Sequence, residues 1–315
     1  MSLPKQSTQR GMLVVPPITI TPAMCQAGDI AVPTPGVDPE AWSNKAWAKG
    51  DLCCVPATRR VYKRLIAGTT PTSPENDPTN WNDYAAINAD LMLDQVIGTQ
   101  TASAQGQDLV RVIKPGQVIT AIVLLNVVGV KVTISMSDSS ETKPWSRTFD
   151  LVATGGVRDW FAWHFKRARR KRQVLCLDVP PYSGATWTIT ITPGTGEQAK
   201  CGVLIMGYGE SIGRGLQWGP SIGRVNYSEL DFDKFGNGNY VSRAVARRAK
   251  FQVQVNNSEV DWVDEFINSY PAQNLLWIGY EGLACTVVYG ICEDFNIVVP
   301  HQVWSDCDFN LKGVI

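Results

Sequence analysis

The chain has 315 residues, 44% of them hydrophobic and 18% charged, which suits packed cores and excludes a largely disordered chain. Its 29 basic and 29 acidic residues cancel, so no global charge draws it to nucleic acid or to an anionic membrane. A surface this poor in charge is easier to explain if much of it is buried against partners.

The first eleven residues are polar and lack the apolar stretch of a secretory leader. The longest apolar run, 118–130, is interrupted by Asn126 and too short for a bilayer core of about 30 Å. The expectation is a soluble protein made in a cytoplasm, with no membrane span. Eight cysteines, at 25, 53, 54, 176, 201, 285, 292 and 307, include no pair at the spacing of a zinc knuckle or redox dithiol. Neither a metal site nor a disulfide framework is expected. Cys53 and Cys54 are neighbours on a predicted strand, so they should point to opposite faces, each as a small buried hydrophobe.

Residues 1–41 form a proline-rich segment, with Pro16, Pro17, Pro22, Pro33, Pro35 and Pro39 and no helical period. Composition fits an extended arm that becomes ordered on a neighbour, and equally a loose tail. Residues 42–84 form a small module rich in aromatics: Trp42, Trp47, Tyr62, Trp81 and Tyr84. Alternation at 49–55 and 60–65 predicts two strands, followed by a turn-rich stretch through Pro71, Pro74 and Pro78. A helix is expected over 85–97, capped by Asn82 or Asp83 and ended by Gly98.

From 108 to 207 short apolar runs recur at regular intervals between Gly and Pro turns. Strands are predicted at 109–113, 119–127, 131–136, 174–177, 187–192 and 201–206. This pattern predicts a β-sandwich, so 85–207 reads as a helix plus a β-sandwich domain. Residues 208–315 open with a glycine-rich linker. A strand at 248–255, a helix at 259–268 and strands at 275–279, 285–290, 295–299 and 309–315 follow, as in a small α+β domain. The fold class expected is mainly β.

Few residues suggest chemistry. Gly209-Glu210-Ser211-Ile212-Gly213 matches a nucleophile elbow, but the motif needs a helix directly after the serine, and Arg214–Pro220 is unsuited to one. Ser-Ile-Gly-Arg recurs at 221–224, as a reused turn would. His164 and His301 have no ligand or acid partner at motif spacing, and His164 is expected as a packed ring within Trp160–Phe165. Glu229, Asp231 and Asp233 could share a strand face and hold a cation, although a solvated or inter-subunit edge explains them better. No catalytic residue, metal or cofactor is expected.

Residues 166–172 hold six basic side chains in seven positions. Arg167, Arg169, Arg170 and Arg172 could contact phosphates or a neighbouring subunit. With the overall charge at zero, nucleic acid is not an expected partner. Trp42, Trp47, Tyr62 and Trp81 could present apolar faces to sugar rings or to a protein partner, or could be the core of a module too small to bury much else.

Trp42, Ala46 to Asp51, Tyr62, Ala67-Gly68, Pro71, Pro78 and Trp81 together resemble the small chitin-binding type of carbohydrate module. The sequence departs from that pattern where Cys53-Cys54 replaces the usual aromatic. From 42 to 315 the chain resembles a tail-protein family of tailed bacteriophages. The likeness runs through Trp81 to Tyr84, Leu93 to Gln95, Asp178 to Pro181, Asn226 to Ser228, Asp233 to Gly236, Arg243 and Arg247. It continues in Trp277 to Gly279, Val288 to Gly290, Asp294-Phe295 and Cys307 to Gly313. The resemblance implies a structural virion component of the tail: a tip, baseplate or fibre-connector protein, involved in tail fibre attachment. Its implied partners are copies of itself and other phage tail proteins. The alternative it implies is a receptor-binding adhesin for a host surface polysaccharide.

Overall fold

Three stacked antiparallel sheets and a smaller fourth organise this computed structural model, which describes residues 11–137, 144–153, 159–165, 169–232, 234–236 and 238–314. The fold is mainly β, as the alternation predicts. The outer sheet of the sandwich has the order 109–113, 186–192, 131–137, 145–150. Thr186–Thr192 alternates half-buried threonine with buried Trp187, Ile189 and Ile191, the period of a strand with one buried face.

The middle sheet (173–176, 121–125, 203–207) behaves differently. Ala121–Leu125 and Val203–Gly207 are buried at every position, the signature of strands covered on both faces. Ile122, Leu124, Leu204 and Met206 face the sandwich core with Trp187 and Ile189. Ala121, Val123, Val203 and Ile205 face the other way, onto Val15, Leu276, Ile278, Val287 and Tyr289. Those residues belong to the third layer, a seven-stranded sheet in the order 210–212, 12–15, 275–278, 287–298, 304–313, 245–256, 221–226. Its outer face packs Phe251, Trp277 and Phe309 beneath the helix Val260–Asn268, which contributes Val263, Phe266 and Ile267. The sandwich and the C-terminal region therefore share the middle sheet.

The small module is a three-stranded sheet, 52–55, 60–64 and 81–86. Gly50 adopts φ +94°, and the Asp51 carboxylate accepts the Ala48 amide at 2.8 Å. Together they close the turn that leads into the first strand. Cys53 lies in the cluster of Trp47, Tyr62 and Trp81, while Cys54 lies on the opposite face with Val61 and Ile87, as strand alternation requires.

Two expectations are corrected here. The helix at 85–97 is absent: Ala85 and Ala86 end the strand Trp81–Ala86, paired with Val61 and Arg60, and only a 3-10 turn follows, at Asn88–Leu93. The buried Asn88 side chain explains the break. It bonds both the amide and the carbonyl of Ala102 and also Thr34, distant partners that hold the backbone out of a helical path.

The second correction concerns the arm, whose residues 11–41 lie on their own chain; residues 1–10 fall outside the described residues. Met12–Val15 is an inner strand of the large sheet, between 210–212 and 275–278. Ile18, Ile20, Met24 and Ile30 then pack on the sandwich core, and Ile30 with Val32 covers the second face of the small module. Near its end, Cys54 donates its amide to Glu40 at 3.0 Å. The arm thus straps three cores together, because its apolar residues find a continuous intramolecular surface.

Candidate functional site

The four aromatics marked for contact are mostly interior. Trp47, Tyr62 and Trp81 are 6%, 8% and 2% exposed and form one cluster, with Trp42 half-buried against it. Trp47 and Trp81 meet edge to face at 5.6 Å, and the buried Arg64 guanidinium lies 4.9 Å from the Trp81 ring. A sugar stacks on an exposed ring face, so the contact role expected of Trp47, Tyr62 and Trp81 is corrected to that of core. Trp42 keeps part of its ring accessible.

The recurring turn element lies in strands instead. Ser211 pairs with Leu13 inside Glu210–Ile212, and no helix follows it, so the geometry of a nucleophile elbow is missing. Among the described residues no group of three or more His, Cys, Asp or Glu side chains is placed to hold a metal. Asp233 lies outside the described residues; Glu229 is paired with Arg243 at 2.7 Å.

A cleft of about 460 Å³ opens between the middle sheet and the large sheet, lined by Asn126, Arg172, Gln173, Arg247 and Tyr289. Arg247 donates to the carbonyls of Ala284 and Val287 at 2.8 and 2.6 Å. Burial, with Arg224 nearby, holds its guanidinium below the usual arginine range. The buried Tyr289 hydroxyl has no hydrogen-bond partner among the described residues, and burial pushes its titration upward. Two cations and a buried hydroxyl suit the binding of an anionic group. The described lining contains no carboxylate, histidine, serine or cysteine that could move a proton or attack a bond.

Two clusters of large exposed apolar side chains stand out, apart from the exposed Trp218. The first is the hairpin Glu229–Phe232 with Gly238–Val241, whose strands pair only with each other among the described residues. Leu230 stands opposite Tyr240, and Phe232, two residues along, shares their face. These side chains are 56%, 62% and 62% exposed.

The chain matches no protein-family model, no curated protein and no solved structure.

The second cluster is on the helix Trp160–Phe165. Val152–Ala153 pairs with Arg169–Arg170, and the helix Trp160–Phe165 lies between them in sequence. Trp160 contacts His164 at 4.3 Å and Phe161 contacts Phe165 at 4.6 Å, one helical turn apart. All of these rings are exposed. His164 therefore packs against neighbouring rings, as expected of it, on an exposed helix. Of the basic run, Arg169, Arg170 and Arg172 are exposed. Arg170 pairs with Glu197, Arg172 lines the cleft, and Arg167 lies outside the described residues. Sequence reasoning marked Glu229 and Asp231 of the hairpin as a solvated or inter-subunit edge, but passed over its apolar face and the aromatic helix as sites. The available signal was a cluster of large apolar residues, at 160–165 and 230–240, with no strand-like run beside it to form a core.

Proposed function

We propose that this chain is a structural subunit of a bacteriophage tail, made in the host cytoplasm, carried in the virion and assembled as a homo-oligomer. The observation that carries the reading is the hairpin at 229–241. An isolated two-stranded hairpin is marginal in water, and this one leaves the Leu230, Phe232 and Tyr240 face uncovered. Docking that face on a second copy would cover it, as an assembly subunit requires. The sequence likeness to tail proteins over 42–315 supplies the virion context, and a three-layer β body with a low charge content suits a subunit with extensive contacts.

Burial of Trp47, Tyr62 and Trp81 leaves the polysaccharide-binding alternative without a platform of coplanar rings. Light scattering on the purified full chain tests the assembly. A defined oligomer that falls to a monomer in Phe232→Ser/Tyr240→Ser, with unchanged far-UV dichroism, supports the reading; a wild-type monomer at micromolar concentration overturns it. Gold-labelled antibody against the chain should decorate the tails of phage particles, and labelling confined to the capsid would refute the tail position.

A further inference from the structure

We infer that the cleft between the middle sheet and the large sheet is a binding site for a small phosphomonoester with an apolar body. Arg172 and Arg247 both line it, and each is placed by its backbone. The Val127 amide donates to the Arg172 carbonyl at 3.0 Å, and Gln173 pairs with Leu125 of the middle sheet. Arg247 belongs to the strand Val245–Asn256 of the large sheet. The two walls meet at one oxygen. The Ala284 carbonyl accepts Gln173 Nε2 at 3.1 Å and Arg247 Nη1 at 2.8 Å, so the residue next to Arg172 converges with the Arg247 guanidinium.

A third cation adjoins them. Arg224 stands directly opposite Arg247 in the ladder, where like charges repel. No acidic side chain lines the cleft. Among the described residues neither Arg172, Arg224 nor Arg247 has an ion-pair partner. Arg247 is half-buried, and taking a guanidinium out of water without an anion is costly. An oxyanion in the cleft removes that deficit, since a guanidinium fork binds phosphate or carboxylate oxygens in pairs. Three unanswered positive charges favour a dianion over a monoanion, hence a phosphomonoester over a carboxylate.

The rest of the lining selects the body of the ligand. Ile97, Leu125, Val245, Val287 and Val314 are apolar and would gain by covering a ring or short chain. The cleft, about 460 Å³, lies within the ~300–1,000 Å³ range of small-molecule sites. Binding there requires neither the tail assignment nor the hairpin contact.

Isothermal titration calorimetry of the full chain with phenyl phosphate tests the inference, with inorganic phosphate and benzyl alcohol as partial probes. Phenyl phosphate should saturate at one per chain. Inorganic phosphate should bind about tenfold or more weakly, because it leaves the apolar wall uncovered, and benzyl alcohol should give no saturable heat. Arg172→Gln and Arg224→Gln, side chains that hold no backbone group among the described residues, should each weaken phenyl phosphate about tenfold. Their unfolding midpoints without ligand should stay at the wild-type value or rise. No saturation by phenyl phosphate up to about 10 mM, or equal affinity in wild type and both variants, overturns the proposal. Inorganic phosphate binding as tightly as phenyl phosphate would reduce the cleft to a bare anion site and overturn the assigned class. Tighter binding of a short single-stranded oligonucleotide, lost in the same variants, would make it a nucleic-acid groove and also overturn it.

Discussion

Arg111 of the sandwich and Asp29 of the arm form a buried ion pair at 3.2 Å, with side chains 1% and 10% exposed. Arg111 also donates to the Ala89 carbonyl at 3.1 Å, and Asp29 accepts the Val112 amide at 3.1 Å. One pair thus ties the arm, the sandwich strand and the 3-10 turn.

Removing one partner strands a buried charge. Asp29→Ala should cost about 3–5 kcal/mol, seen as a lower urea midpoint. Arg111→Met combined with Asp29→Ala should recover much of the loss, because a well-packed apolar pair replaces the ions. A loss below about 1 kcal/mol for Asp29→Ala would mean the arm adds little to the body.

The small module should depend on Trp81. Truncation to alanine removes a fully buried ring together with its contacts to Trp47 and Arg64, at a cost of about 3–5 kcal/mol. Trp42→Ala, at a half-buried ring, should cost clearly less. Thermal unfolding followed by tryptophan fluorescence compares the two, and equal losses would contradict the burial pattern.

Gly207 is the point where the arm crosses the middle sheet, bridged to Pro17. A Cβ there would lie 2.2 Å from the Pro16 carbonyl oxygen, and neither backbone can yield without separating arm from sheet. Gly207→Val should expose the arm to limited proteolysis between residues 16 and 40 at protease levels that leave the wild type intact. An unchanged digestion pattern would show that the crossing has slack.

Thiol chemistry should report the layers. Burial pushes the Cys53 and Cys176 thiols from an ordinary 9.0 up to about 12. The folded state keeps these protons after the unfolded chain has lost them, so their contribution is complete below pH 9 and declines as pH rises toward 12. Alkaline titration should therefore lower the unfolding midpoint over that window, and Cys53→Ala/Cys176→Ala should flatten the decline. Under native conditions near pH 8 the exposed Cys285 should react first with an alkylating reagent, while the buried Cys53, Cys54, Cys176, Cys201 and Cys307 wait for denaturant.

Local pattern was a good guide wherever a strand has one buried face or two. Alternation located 109–113, 131–137 and 186–192, the unbroken apolar runs located 121–125 and 203–207, and adjacency put Cys53 and Cys54 on opposite faces. The longer strands at 287–298 and 304–313 were only partly legible. The first bulges between Cys292 and Asp294, which interrupts the alternation and makes one strand read as two.

The sequence by itself determined the mainly β character, the strand periods and the helix near 260–268, because these follow from side-chain spacing along a few residues. Only the tertiary structure decided that Ala85 and Ala86 are strand, that Met12–Val15 is an inner strand of the large sheet and that Trp47, Tyr62 and Trp81 are core. It also decided that the rings at 160–165 are left outside. Each of those outcomes depends on which distant segment competes for the same hydrogen bonds and apolar area. Asn88 and Thr34, or Leu13 and Ile278, are far apart in sequence and meet only when the distant segments have folded together.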